Sequence, residues 1–240
     1  MNRIVVITGG SRGIGEALAY EFARARFVVA ITYRKEAQLA QGVLKHCLEL
    51  GASAAHALPL DLTSDESVKN CAKEILRMFG ALDILVNNAG TVISAKLSEQ
   101  SFEQIDEQLH ASLVGPMKLT SLLLPVIKNS VINIGSNLAT VGKKNWTGYC
   151  AAKFGIRGMT QALAKEWPDI KILALHPGLT ATAMVNWRGT EPAAVARVIY
   201  SFATGANSVV SGSDIWIKDY LPGFWRSPRR VLRRLRNIFK

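Results

Sequence analysis

Seven short, almost wholly apolar runs alternate with longer helical patterns, and this alternation restricts the possible folds of the chain more than any other feature. The runs lie at residues 3–8, 27–32, 54–60, 83–87, 130–135, 170–175 and 214–218. A strand that is apolar at successive positions is buried on both faces, which happens where helices cover both sides of a parallel sheet. Helical periodicity occupies residues 13–25, 37–50, 64–79, 98–126, 148–166 and 192–203, and Pro116 is expected to break or kink the fourth of these. The alternation implies right-handed crossovers and an α/β, doubly wound, seven-stranded and mostly parallel sheet. No repeat or linker interrupts it. Residues 1–218 therefore read as one domain and residues 219–240 as a tail.

Length agrees, since 240 residues fill one sizeable domain but not two. Hydrophobic residues at 49% and charged residues at 20% are ordinary for a soluble chain. The first strand begins without the regions of a secretory signal, and no uninterrupted apolar stretch approaches the roughly 18–20 residues of a membrane span. Cys47, Cys71 and Cys150 lack metal-ligand spacing, as do His46, His56, His110 and His176. Reduced thiols, no bound metal and a cytoplasmic location are the expectation. The net charge of +11 belongs largely to the tail, where seven Lys or Arg stand against one Asp. The remainder is thinly spread and argues against nucleic acid as a partner.

Between the first strand and first helix runs Thr8-Gly9-Gly10-Ser11-Arg12-Gly13-Ile14-Gly15. Glycines let backbone turn tightly and approach a pyrophosphate, while the helix N-terminus offers free N–H groups and a positive dipole end. The setting between strand and helix supports a dinucleotide site on a Rossmann-type domain.

Three residues, not one, separate the first glycine of this fingerprint from the second, and Thr-Gly-x-x-x-Gly-x-Gly resembles the short-chain dehydrogenase/reductase pattern. The resemblance extends from Arg3 to about Lys218 through Asp61-Leu62-Thr63, Asn87-Asn88-Ala89-Gly90, Ser136, Tyr149-x-x-x-Lys153 and Pro177-Gly178 followed by Thr182. It implies that Asp61, with Leu62 beside it, contacts the adenine and that Asn87 to Gly90 line the cofactor cleft. Pro177 and Gly178 would border that cleft, and Thr182 would reach the carboxamide. An acid near the end of the second strand would select NAD(H) by binding the ribose 2′-hydroxyl, whereas Arg suits a 2′-phosphate. Tyr33 stands there, Arg34 follows, and Arg12 lies in the turn, which favours NADP(H) over NAD(H).

Tyr149 and Lys153, four residues apart on one helix, share a face. A Tyr hydroxyl with an ordinary pKa of about 10 needs a neighbouring ammonium to become an efficient base near neutrality. In the reducing direction Tyr149 would instead give its proton to a carbonyl oxygen as hydride arrives at carbon. The resemblance implies that Lys153 also holds the nicotinamide ribose and that Ser136 polarises the carbonyl. One position departs from the pattern: Ser112 stands where many relatives have an Asn that anchors a water chain to the Lys. Ser is shorter and lacks the amide's paired donor and acceptor groups.

The segment between Pro177 and Pro192 is short, implying an open cleft suited to a carrier-linked or extended carbonyl substrate. Leu138, Trp146, Leu179, Met184 and Trp187 are candidate wall residues, and Lys143 and Lys144 could attract an acidic carrier. The closest pattern is that of 3-oxoacyl-carrier-protein reductases, and the family habit is a homodimer or homotetramer. In the tail, Ser227 and Pro228 open a basic amphipathic helix suited to an anionic membrane surface or to packing on a protein. Two functions stay open on the sequence: an NADP(H)-dependent carbonyl reductase, and a catalytically weak NADP(H)-binding protein that uses its tail for membrane or partner contact.

Overall fold

The computed structural model describes residues 2–221. Strands β1 (Ile4–Ile7), β2 (Val28–Tyr33), β3 (Ala54–Pro59), β4 (Leu82–Asn87), β5 (Ile127–Ile134), β6 (Lys171–His176) and β7 (Asp214–Trp216) form one sheet. Its order is β3-β2-β1-β4-β5-β6-β7, and every pairing is parallel. The strand order reverses between β1 and β4, which opens a crevice at their carboxyl ends.

Alternate strand residues face opposite layers, and this explains the unbroken apolar runs. Val5, Ile7, Val29, Ile31, Ile84 and Val86 pack beneath α1 (Gly13–Arg24), α2 (Ala37–Glu49) and α7 (Pro192–Ala203), whose Phe22, Val43 and Phe202 are buried there. Val6, Ala30, Leu85 and Val131 face the other layer, where α3 (Asp65–Phe79) and α5 (Gly115–Leu123) supply Val68, Ile75, Leu119 and Leu123. Helices α4 (Phe102–Leu109) and α6 (Thr147–Glu166) complete that layer.

The long helix expected over 98–126 is divided. A 3₁₀ turn at Leu97–Glu99 precedes it, and Ser101 starts α4 with a capping box to Gln104. A π turn at His110–Val114 separates α4 from α5, and Pro116 occupies the first turn of α5. Pro brings no N–H to the carbonyl four residues back, so the wide turn takes up the irregularity there and the helical path continues rather than breaking. The stretch Phe102–Val126 is long and apolar enough, by length and composition alone, to cross a membrane, and its Leu119, Leu123 and Leu124 are buried in the second core. Strand β7 ends two residues early because Ile217–Tyr220 closes into a 3₁₀ turn, and β5 begins three residues early at Ile127. Tyr220 and Leu221, the end of the described chain, pack against the first core. The expected amphipathic helix after Ser227 lies outside the described residues.

A buried polar ladder joins the sheet to the helices behind the crevice. Asn87 Nδ2 donates to Thr120 Oγ1 and Asn133 Oδ1, both at 2.8 Å, and Asn133 Nδ2 donates to Thr160 Oγ1 at 2.9 Å. Asn133→Ala should lower the unfolding free energy by at least about 2 kcal/mol, because it orphans bonded groups on two sides. Urea unfolding followed by circular dichroism measures that loss.

Candidate active site

Two loops meet at the crevice and are stitched by one threonine. Thr8 Oγ1 accepts from the N–H groups of Asn88 and Ala89, each at 3.0 Å. Asn88 Nδ2 returns bonds to the carbonyls of Thr8 at 2.9 Å and Gly9 at 3.0 Å. A Cβ on Gly15 would overlap the Gly9 carbonyl and crowd Asn88, so the glycine is set by close approach. Gly9 and Gly13 hold φ of +63° and +62°. Ser11 is buried within the turn and Ile14 packs on the core below.

The N-terminus of α1 fits a phosphate. Arg12 at its N-cap makes no capping bond, in contrast to Ser64 on α3 and Ser101 on α4. The first N–H groups of α1 therefore lack the side-chain acceptor that the other two helices have. Thr182 is carried onto this turn, where a Cβ on Gly13 would lie 3.1 Å from its Cγ2. Gly178 faces the amide of Asn137, and the Pro177 carbonyl accepts from Asn137 N at 3.2 Å. The Oδ1 of Asn137 is buried without a partner among the described residues.

At the far end of the crevice, Tyr33 finishes β2 and Arg34 follows it. Arg34 is not a free cation: Nε binds Asp61 Oδ2 at 3.0 Å and Nη1 binds Glu107 Oε1 at 2.7 Å. Arg12 pairs with Glu36 at 3.1 Å. Burial pushes the Asp61 carboxyl up, but bonds from Thr63 and Arg34 outweigh this and hold it below its ordinary value. Leu62 is buried, and its carbonyl lies so close to Gly115 that a Cβ there would overlap it.

At the near end, Tyr149 and Lys153 are both buried on α6, at 9% and 5% exposure. Burial pushes the Tyr149 phenol up, and its hydrogen bond with Ser136 only partly opposes this. The sequence-based expectation of a phenol lowered by Lys153 is thus not met here. The Lys153 Nζ lies 5.6 Å from the tyrosine ring centroid and donates to the Ile134 carbonyl at 2.7 Å. Burial lowers the Lys153 amine to about 8.

Ser112, buried in the π turn, accepts from Thr91 N at 3.1 Å and donates to Thr91 O at 3.2 Å. The single hydroxyl thus spends its one proton on the Thr91 carbonyl and one lone pair on the Thr91 N–H. A Cβ on Gly90 would lie 3.2 Å from Ser112 Oγ and 3.9 Å from Lys153 Nζ, so the three border one small space.

Trp146 meets Tyr149 edge-on at 5.5 Å, with Lys143 Nζ 3.6 Å over its ring. The short segment after Gly178 is pinched at its base, where Ala181 N donates to Thr190 O and Thr190 N to Leu179 O, both at 2.9 Å. Leu179, Met184 and Trp187 are exposed on it. The structure therefore brings Gly13 beside Thr182, Gly15 beside Asn88, Tyr149 beside Ser136, and both Ser112 and Lys153 beside Gly90. It adds Thr8, Thr91, Glu107 and His176, whose partners lie too far along the chain for spacing to reveal them.

Residues 3–192 match the family described as short chain dehydrogenase, and the chain belongs to that family. It is accordingly an NAD(P)-dependent oxidoreductase with a Rossmann fold. It is 29% identical over 192 residues to the 3-oxoacyl-[acyl-carrier-protein] reductase of Staphylococcus epidermidis, covering 78% of each chain. Over 244 residues it is 28% identical to the reductase of the same name from Thermotoga maritima, covering 90% of this chain and 96% of that one. A short chain dehydrogenase from Burkholderia cenocepacia, solved in complex with NADP, has a TM-score of 0.82 at 28% identity, covering 89% of this chain and 95% of its own.

The buried amine has a consequence for stability. Its pKa of about 8 lies below the unfolded value of about 10.4, so below pH 8 the folded chain carries a charge penalty of up to about 3 kcal/mol. The penalty fades as pH rises from about 8 towards about 10.4, where both states are neutral. Lys153→Met should therefore abolish turnover yet unfold at higher urea than wild type at pH 7. That gap should narrow at pH 10.

Proposed function

We propose that this protein reduces carbonyl groups with NADPH, taking 3-oxoacyl thioesters presented on a carrier as its substrate class. The observation that carries the reading is the convergence of Ser136, Tyr149 and Lys153 beside the crevice mouth. NADPH, when bound, supplies hydride to the carbonyl carbon. Ser136 donates a hydrogen bond to the carbonyl oxygen, and Tyr149 gives it a proton as negative charge develops. A phenol raised by burial keeps its proton at neutral pH, the state required of a general acid. Lys153 is anchored on Ile134 and offers its remaining N–H groups to the nicotinamide ribose.

The cofactor preference rests on Arg12 and Arg34, whose guanidinium groups suit a 2′-phosphate once their carboxylate partners give way. The substrate class rests on the names of the reductases to which the chain is similar, on the pinched segment that leaves the cleft open, and on Lys143 and Lys144 at its edge. Exposed Phe102, Met117 and Phe154 on α4, α5 and α6 suit a homodimer or homotetramer. A slow enzyme or pure NADP(H) binder is the second reading, favoured by one observation. The Ser112 hydroxyl gives its only proton to the Thr91 carbonyl and keeps a single lone pair with which to hold water for Lys153.

Following NADPH oxidation with acetoacetyl-coenzyme A tests the first reading: turnover is expected, with Tyr149→Phe slower by about 10²–10⁴. Absent turnover despite tight NADPH binding leaves the second reading. Arg34→Ala should weaken NADPH binding at least about tenfold while leaving NADH nearly unchanged. Glu107→Gln, which removes the charge from one of the two carboxylates that hold Arg34, should tighten NADPH alone. Fluorescence titration of both cofactors reads these shifts, and equal affinity of wild type for the two overturns the NADP(H) preference.

A further inference from the structure

His176 ends β6 and is fully buried. Its Nε2 lies 2.9 Å from Asp214 Oδ1, and the other carboxylate oxygen accepts from Arg157 Nε at 2.6 Å and faces Gln161 Nε2 at 3.4 Å. Trp216 stacks on the imidazole at 4.4 Å. The remaining nitrogen, Nδ1, lies 3.2 Å from the backbone N of Ser136 and 3.1 Å from its carbonyl oxygen. This approach needs the residue before Ser136 to be glycine, because a Cβ on Gly135 would overlap the imidazole. Gly135 has no positive φ to explain it. Contact with His176 does.

The chemistry of the partners fixes the histidine tautomer. An ionised carboxylate only accepts, so in the neutral ring Nε2 carries the proton and Nδ1 presents a lone pair. Burial pushes Asp214 up, but bonds from His176 and Arg157 outweigh it and keep it ionised. The Nδ1 lone pair can accept from Ser136 N–H but has nothing to offer the Ser136 carbonyl, which accepts from Ala139 N at 3.0 Å. The opposite tautomer would bond that carbonyl and orphan the N–H.

Arg157 lies eight residues after Tyr149 on α6, on the stripe 149, 153, 157 and 161. The contacts therefore run from α6 through Arg157, Asp214 and His176 to the Ser136 backbone, and the Ser136 hydroxyl opposes the burial shift of Tyr149 on the same helix. We propose that His176 and Asp214 are positioning residues, with Asp214 selecting the tautomer through which His176 holds the Ser136 backbone and so aims its hydroxyl at Tyr149 and the substrate carbonyl. This rests on the reading of Ser136 as the group that polarises the carbonyl.

Asp214→Asn keeps the volume but leaves one acceptor oxygen for three donors, so it tests the idea without opening a cavity. Nitrogen-15 correlation spectra of the imidazoles, with His176 assigned by its absence in His176→Gln, should show the Nε2–H tautomer in wild type and its loss in Asp214→Asn. With acetoacetyl-coenzyme A, Asp214→Asn should lower kcat about tenfold or more, with KM and NADPH affinity within about twofold. In a Ser136→Ala background the same substitution should change kcat little, because the group it positions is gone.

A wild-type Nδ1–H tautomer overturns the proposal, and so does an equal loss of kcat from Asp214→Asn with and without Ser136. Should Asp214→Asn fail to fold, the wild-type spectrum still decides. Unchanged turnover in Ser136→Ala defeats the catalytic reading of Ser136 instead, while the spectra report separately on the tautomer.

Discussion

Thr8 and Asn88 hold together the two loops whose divergence makes the site. Strands β1 and β4 stay paired to Ile7 and Val86, and beyond them the loops leave the ladder with backbone groups that need new partners. The Thr8 hydroxyl takes two N–H groups of the second loop, and the Asn88 amide takes two carbonyls of the first. With those groups satisfied inside the protein, the glycine turn sits tightly on the loop at Asn88–Gly90, and Gly15 has no room for a side chain. The exposed N–H groups at the start of α1 are then the ones left for a ligand. One local stitch thus defines both the floor of the crevice and its anion-binding end.

Desolvation sets the resting charge at the other end. It raises Tyr149 and lowers Lys153, and both shifts favour the neutral form of the group. The site is therefore arranged to hold a proton on oxygen rather than a standing phenolate–ammonium pair, which suits delivery of a proton more than its removal. Oxidation of an alcohol through the same residues would need an added positive charge close by. The burial that makes Lys153 costly in the unliganded fold also excludes the water that would weaken its bonds in a complex.

Much of this was legible along the chain because its signals are local. Apolar runs marked the strands, the glycine spacing marked the turn, and the four-residue step from Tyr149 to Lys153 placed both on one helix face. Legibility failed where a partner lies far away in sequence. Arg34 read as a free cation because Glu107, seventy-three residues on, gives no local sign of facing it. The partners of Ser112 could not be read, because its bonds to Thr91 depend on how a π turn meets the loop after β4. The helix over 98–126 ran together because its periodicity survives a single wide turn, and the pattern marks the stripe but not the hydrogen-bond spacing.

The ribose end shows why counting cations is a weak guide to cofactor choice. Arg12 pairs with Glu36, and Arg34 with Asp61 and Glu107, so neither guanidinium stands free and no strong field awaits a phosphate. What differs is the quality of the bonds. The ion pairs here are partly exposed, and pairs of that kind are worth about 0–1 kcal/mol each. A phosphate that engages a guanidinium through two parallel bonds brings more charge and better geometry than either carboxylate. On the proposed preference for NADP(H), discrimination between the two nicotinamide cofactors depends on an exchange of Arg34 partners rather than on attraction to an open positive patch. Salt would weaken the resident pairs as well as the incoming one. The preference should therefore depend less on ionic strength than it would in a pocket whose cations stand free.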